Sequence, residues 1–409
     1  MSAMSASPDP AGATPGDPAR RLVVAYAFAP YADTSAVAAT KRVAVEGVPV
    51  DVVSNRMDDL RGTDDTLDEL VAGLVRRRAT VPTPTMFGGW SSVLSFTRAG
   101  QRALRRWADE PAGTPYTSMY SRAHFVASHV LAATVAGERP GLAWRAEISD
   151  PLSRTATGER RTGPTPRGEL ADELAGLLAA RGVRPPDDAT VFEWAETLAY
   201  VLADEAVFTG AGQRDYCLSL IEDRTVRRAL EGSAVVSPHA TLPEEWYVRR
   251  SEPVALEPDV VNVGYFGGFY ASQDPRRLLR AVAEMAPADR DRLRVHLFTG
   301  RSDDLVTAVE ELGVAGSVLL RDRLPFLDFL AATRQMDVLL AVDADPVAGG
   351  TAPHVRLSKW SDYAGAGVDV WGVVAPGSDL AAQDLAHRTP LHHLTAALQT
   401  LTSLARSKG

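Results

Sequence analysis

Lys359 and Asp362 are the pair of residues best suited to binding chemistry in this chain. They stand three apart within Pro353-His354-Val355-Arg356-Leu357-Ser358-Lys359-Trp360-Ser361-Asp362-Tyr363-Ala364-Gly365-Ala366-Gly367. That spacing puts a cation and a carboxylate on one face of a helix. Gly367 is placed to end the helix, because glycine accepts a positive φ. Apolar runs at Val338–Val342 and Val368–Val374 flank the segment and are expected as buried strands. Lys359 and Asp362 then sit at a strand mouth, where together they suit a ligand carrying a phosphate and a sugar. Taken alone, the pair reads better as an ordinary surface ion pair; the surroundings favour the binding reading.

Gly264-x-x-Gly267-Gly268 is the second candidate. It follows the apolar run Val260–Phe266 and precedes Asp274-Pro275, which read as a helix cap and a first-turn proline. Without side chains, a glycine turn lets an anion approach backbone N–H groups. The spacing matches neither the dinucleotide G-x-G-x-x-G nor a P-loop, so a plain turn competes with the binding reading. Asp343-Ala344-Asp345 also follows a strand and invites a divalent metal, although solvated loop acids are the commoner case. The eight histidines include His124, His129, His239 and His354, and none shows H-x-x-x-H or H-E-x-x-H spacing. There is no G-x-S-x-G elbow and no C-x-x-C.

The elements that would carry these residues alternate. Leu22–Phe28 reads as a strand, Thr34 or Ser35 as the cap of a helix to about Glu46, and Val48–Val53 as the next strand, a βαβ start. Helices are expected at Leu67–Arg77, Gly100–Trp107 and Ala123–Val135, with strands at Ser118–Ser121 and Leu142–Ile148. Ser153–Glu169 reads as a mobile surface loop, Glu205–Thr209 and Ser233–Ser237 as strands, and Arg249–Pro258 as a linker. From Val254 on, strands at Val260, Leu293, Val318, Asp337 and Val368 alternate with helices, one of them capped by Ser302. The expected division is a disordered tail at 1–20, one Rossmann-like domain over 21–250, a second over 251–380, and a helix within 381–409 packing back on the first. Two such domains face each other across a cleft. The loops of interest are therefore Gly264–Gln273, Thr299–Ser302, Arg323–Phe326, Asp343–Lys359, Phe28–Ser35, Met119–His129 and Glu147–Leu152.

Bulk properties narrow the function. A chain of 409 residues exceeds one ordinary core. Hydrophobic content of 45% with 23% charged residues is globular. A net charge of −9 argues against broad nucleic-acid binding. The lone cysteine, Cys217, excludes an internal disulfide framework and fits a reducing cytoplasm. No apolar run approaches the roughly 20 residues that span a bilayer. The Ala/Ser/Pro/Gly-rich start has no apolar h-region. The expected location is the cytoplasm, with room for peripheral contact with the inner membrane face.

On these residues the chain resembles the GT-B glycosyltransferases, most closely the large retaining family four. The likeness rests on Val263-Gly264-Tyr265-Phe266-Gly267-Gly268 and on Leu357-Ser358-Lys359-Trp360-Ser361-Asp362-Tyr363-Ala364-Gly365-Ala366-Gly367. It extends to Met119-Tyr120-Ser121-Arg122 and to Trp144 through Pro151 in the first half. The resemblance implies an α/β GT-B fold and a nucleotide-sugar donor, UDP- or GDP-linked, with no required metal or other cofactor. The glycosyl group would pass with retention to a glycan, a lipid-linked or a small-molecule acceptor, for a lipid at a membrane surface. It places the nucleotide on Gly300 and Leu324-Pro325, the ribose on Asp362, and the diphosphate on Gly267, Gly268 and Ser358, with Lys359. Arg122, His129 and Lys359 become the catalytic candidates, and Tyr31, His124, Glu147 and Asp150 the acceptor-side ones. The family's cations after the glycine turn are missing, since the chain reads Phe269-Tyr270-Ala271-Ser272-Gln273 there. Lys359, Arg301 or Arg356 could replace them. The acid eight residues before Asp362 is replaced by His354. A nucleotide-sugar epimerase and a catalytically silent nucleotide- or glycan-binding protein share the architecture and are the alternatives.

Overall fold

The computed structural model describes residues 21–110, 116–155, 158–269, 275–300, 302–345 and 357–408. The first half forms a seven-stranded parallel sheet in the order β3-β2-β1-β4-β5-β6-β7. Its strands are β1 (Arg21–Ala25), β2 (Val50–Asn55), β3 (Val75–Val81), β4 (Ser118–Ala123), β5 (Ala143–Ile148), β6 (Glu205–Phe208) and β7 (Ala234–Val236). The second half forms a six-stranded parallel sheet in the order β10-β9-β8-β11-β12-β13. It comprises β8 (Val261–Phe266), β9 (Leu293–Phe298), β10 (Val318–Arg321), β11 (Val338–Val342), β12 (Asp369–Val374) and β13 (His387–Pro390). Strand order reverses between β1 and β4 in one sheet and between β8 and β11 in the other. Crevices open beyond the carboxyl ends of the strands at such points.

The first crossover helix, Thr34–Glu46, starts one residue away from the expected cap. Asp33, rather than Thr34 or Ser35, accepts from the N–H groups of Ser35 at 2.8 Å and Ala36 at 3.4 Å. Gly47 ends the helix at φ 64°, as its type requires. The Ser302 cap is also present, accepting from Leu305 N. The Asp274 cap lies outside the described residues.

Three expectations need correction. The region read as one helix over Leu67–Arg77 is a short helix, Asp65–Leu70, followed by edge strand β3. Gly73, at φ 83°, breaks the chain between them. Beyond it Arg76, Arg78 and Thr80 face out, while Val75, Arg77 and Ala79 are half-buried and Val81 is buried, the alternation of a strand. The Ser153–Glu169 segment is pinned where it is described. Arg160 binds Glu193 at 2.7 and 2.8 Å, and the Arg161 guanidinium lies 4.7 Å from the Phe87 ring and 5.2 Å from Phe192. Arg160 and Arg161 find carboxylate and aromatic partners that composition does not reveal. Finally, the tail does not return to the first domain. It adds β13 beside β12, and helix Leu394–Ser407 buries Leu401, Leu404 and Ala405 against the second sheet's core. Arg406–Asp289 at 2.7 Å and Lys408–Asp337 at 2.8 Å tie it there.

The two halves pack on each other. One apolar cluster runs from Phe28, Ala39 and Leu67 to Phe266, Leu327 and Tyr363. The first domain also caps a helix of the second: at the start of Phe326–Thr333, Phe326 N donates to Asp64 Oδ2 (2.7 Å) and Leu327 N to Thr66 Oγ1 (3.1 Å). Those N–H groups are among the four that a helix start leaves without internal partners.

Candidate functional site in the interdomain cleft

A cavity of about 270 Å³ lies between the two domains. The start of helix Thr34–Glu46, Asp64 and His239 form one wall. Gly267, Arg323, Leu324, Ser358, Lys359 and Asp362 form the other. The two stretches that the sequence singles out therefore meet. Phe266 N donates to the Tyr363 hydroxyl at 3.1 Å, and Lys359 Nζ donates back to the Phe266 carbonyl. These two bonds lock the glycine turn to the helix Trp360–Ala366.

Two cations lie against the bare turn. Gly267 has φ 102°, and a Cβ there would lie 2.9 Å from Lys359 Nζ. A Cβ on Gly268 would lie 2.9 Å from Arg323 Nη2. Both glycines thus make room for charge. Lys359 Nζ also lies 4.1 Å from the centre of the Tyr265 ring. Burial pulls its ammonium down to about 8; Asp362 opposes the shift and Arg323 adds to it. Arg323 donates from Nε to Thr299 O at 3.0 Å, is exposed, and forms no ion pair with a carboxylate among the described residues. It brings a second positive charge to the glycine turn. Arg301, Arg356, His354 and 270–273 lie outside the described residues.

Asp362 sits in the first turn of its helix and is buried. Burial raises its carboxyl, and Lys41 of the opposite domain opposes that. Lys41 Nζ donates to Asp362 Oδ1 and, at 2.8 Å, to Ser361 Oγ. Tyr247 donates to the Asp362 carbonyl at 2.8 Å. A side chain on Gly365 would occupy the Tyr247 hydroxyl, so glycine there allows the approach. Gly300 (φ 75°) and the exposed Pro325 flank this wall without lining the cavity.

The first-domain candidates do not gather at the cavity. Arg122 donates to Glu147 and, at 3.3 Å, to Ser35 Oγ. Glu147 also accepts from Arg42 (3.1 Å) and the Tyr120 hydroxyl (3.0 Å). Burial would raise the Glu147 carboxyl, but Arg122 and Arg42 hold it low. Arg122 and Glu147 thus belong to a buried charge network. His129 is a core residue: its Nδ1 lies 2.9 Å from Ser121 Oγ, which accepts from Trp144 Nε1 at 2.8 Å. Burial drives its pKa down to about 3, with Arg122 adding to the shift. Tyr31 donates to Asp58 at 2.9 Å. His124 lies among rings, 4.9 Å from Phe87, and burial lowers its pKa. Burial pushes Asp150 up to about 6 against Arg122 and Arg161. None of these six lines the cavity. Asp343 is consumed locally, accepting from Ala375 N at 2.8 Å and Ser378 Oγ at 2.5 Å.

Lys41, Asp64 and Ser361 are polar cavity residues that residue types and spacing did not single out; Arg323 fell within a loop of interest and His239 among the histidines, neither with an assigned role. Arg323 follows β10, so its position at a strand's carboxyl end was the available signal. Lys41 sits mid-helix, and only the packing of the halves makes it a cleft residue.

Solved structures share this architecture. HepE of Anabaena, in complex with UDP and glucose, superposes with a TM-score of 0.58 at 11% identity, over 95% of this chain and 90% of that one. Sucrose-phosphate synthase from Thermosynechococcus elongatus gives 0.59 at 11%, over 95% and 90%. A UDP-N-acetylglucosamine 2-epimerase gives 0.52 at 9%, over 95% and 88%. No family model and no curated protein matches the sequence. The fold is GT-B: two Rossmann-like α/β domains facing a central cleft.

Proposed function

We propose that the chain is a glycosyltransferase that takes a sugar from a nucleotide-diphosphate donor, UDP- or GDP-linked, with retention of configuration. The observation that carries this reading is the convergence of Lys359 and Arg323 on the Gly267-Gly268 turn, with Asp362 in the same cavity. Bare backbone and two cations suit a diphosphate, and a carboxylate suits ribose hydroxyls. The fold's likeness to HepE with UDP and glucose supports the same reading.

Transfer of this kind asks the protein to stabilise charge on the departing diphosphate. Lys359, Arg323 and the amides of the turn do so here, and Ser358 borders the same space. The glycine turn meets the phosphates, Leu324 and the neighbouring Pro325 and Gly300 border the nucleoside, and Asp362 takes the ribose. The acceptor, a glycan, a lipid-linked sugar or a small molecule, enters from the first-domain side, in the cytoplasm or at its membrane face. His124 and Asp150 lie at that end of the first sheet.

The fold is shared with an epimerase, so turnover decides between the readings. Incubation with UDP- and GDP-sugars should release nucleoside diphosphate by transfer or slow hydrolysis. Interconversion of donor epimers would make the chain an epimerase, and tight binding without turnover would make it a silent binder.

A further inference from the structure

Asp362 already has a partner, and it comes from the other domain. Lys41 Nζ, buried like the carboxylate it meets, occupies Asp362 Oδ1 and Ser361 Oγ. The second carboxylate oxygen, Oδ2, makes no hydrogen bond among the described residues, and Asp362 lines the cavity. Tyr247 fixes the backbone of the same residue at 2.8 Å. A buried charge pair is costly to form and costlier to break by removing one member. It also adds little stability that apolar side chains could not supply, so this one calls for another role.

Resting on the donor reading above, we propose that Lys41 is a positioning residue for the nucleotide's ribose. Holding Oδ1 from across the cleft, it leaves Oδ2 for the ribose hydroxyls and makes nucleotide binding depend on the two domains being closed. A first-domain helix thereby reads whether the second domain's site is formed. The charged and titratable groups around the pair are Lys359 and Tyr363 from the second domain, Tyr247 from the short helix Glu244–Tyr247 that precedes it, and His239 from the first, with Asp33 and Asp64 on the cavity wall. Burial raises the Asp362 carboxyl and Lys41 is the largest influence opposing it.

The test is calorimetric titration with uridine and guanosine from about pH 4 to about pH 8.5, below the titration of the bases, with their diphosphates titrated at neutral pH to establish nucleotide binding. In the wild type, ribose binding falls as pH drops through the Asp362 titration. In Lys41→Gln the lost counter-charge moves that fall upward by about 1–3 pH units. Nucleoside affinity near neutrality weakens roughly tenfold. Lys41→Met, which keeps the stem's volume, should behave alike. Lys41→Gln combined with Asp362→Asn removes both charges, so it keeps the fold and binds nucleoside weakly with no pH dependence. An unmoved profile in either Lys41 variant overturns the proposal, and so does a double variant that keeps the wild-type profile. Absence of any nucleotide binding by the wild type instead overturns the donor reading itself.

Discussion

Lys359 Nζ stands where a side chain on Gly267 would have to go. The lysine bonds the carbonyl of Phe266, the residue before the turn, and a Cβ on Gly267 would approach it to 2.9 Å. The turn's emptiness and the cation's position are thus one feature, built from residues about ninety apart in the chain.

Gly267→Ala should therefore do two separable things. At φ 102° an alanine is strained, costing about 1–3 kcal/mol of stability. Its methyl also displaces the ammonium. The expected result is a lower thermal midpoint and loss of diphosphate affinity out of proportion to any loss of nucleoside affinity. Differential scanning calorimetry and nucleotide titration read the two effects apart.

Arg323→Gln should leave stability nearly unchanged, because the side chain is exposed and its hydrogen bond among the described residues goes to the Thr299 backbone carbonyl. Diphosphate affinity should fall about tenfold while nucleoside affinity holds. The salt dependence of diphosphate binding should become shallower. Titration at two ionic strengths checks both.

The pH response of Lys359 has a definite sign. Its ammonium titrates near about 8, below the ordinary 10.5, because burial disfavours the charge. Diphosphate binding needs the charged form, so affinity should be full below about 8 and decline as pH rises through it. Folding runs the other way. Between about 8 and 10.5 the unfolded chain binds more protons than the native one, so this group's contribution to stability grows with pH there. Lys359→Gln should abolish both trends, seen by titration and by denaturant unfolding across that range.

Asp64→Ala tests the packing of the domains. Asp64 accepts from Phe326 N across the interface and from Thr66 N in its own helix. Loss of two caps should cost about 1–3 kcal/mol in urea unfolding. Faster proteolysis at the 249–258 linker should accompany it. A cost confined to a few tenths would mean that the apolar cluster alone joins the halves.

The second domain was the more legible in sequence. Two of its central strands are nearly continuous buried runs: Val261–Phe266 is buried throughout and leads into Gly267, and Val338–Val342 is buried except at half-buried Val342. Lys359 and Asp362 are bracketed by β11 and β12, and Gly267 follows β8, which was enough to bring these three to one cavity. β3 was hidden because its three arginines stand in a row, Arg76-Arg77-Arg78, so this edge strand shows no apolar alternation, and the leucines before it mimic a helical stripe. β13 was hidden because His387-Arg388-Thr389-Pro390 has almost no apolar content and pairs on one side only. His129 misled because its helix is buried along its length, so a polar residue there serves the core. Lys41 was illegible for a different reason: its role exists only once the halves meet.

The central claim is that the Gly267-Gly268 turn, Lys359 and Asp362 grip a nucleoside diphosphate. Calorimetry of the parent, Asp362→Ala and Lys359→Ala with nucleoside, monophosphate and diphosphate forms of uridine and guanosine tests it most directly. The account predicts that Asp362→Ala weakens every form, nucleoside included, while Lys359→Ala spares the nucleoside and weakens the diphosphate. Two variants that bind all three forms as tightly as the parent would contradict it.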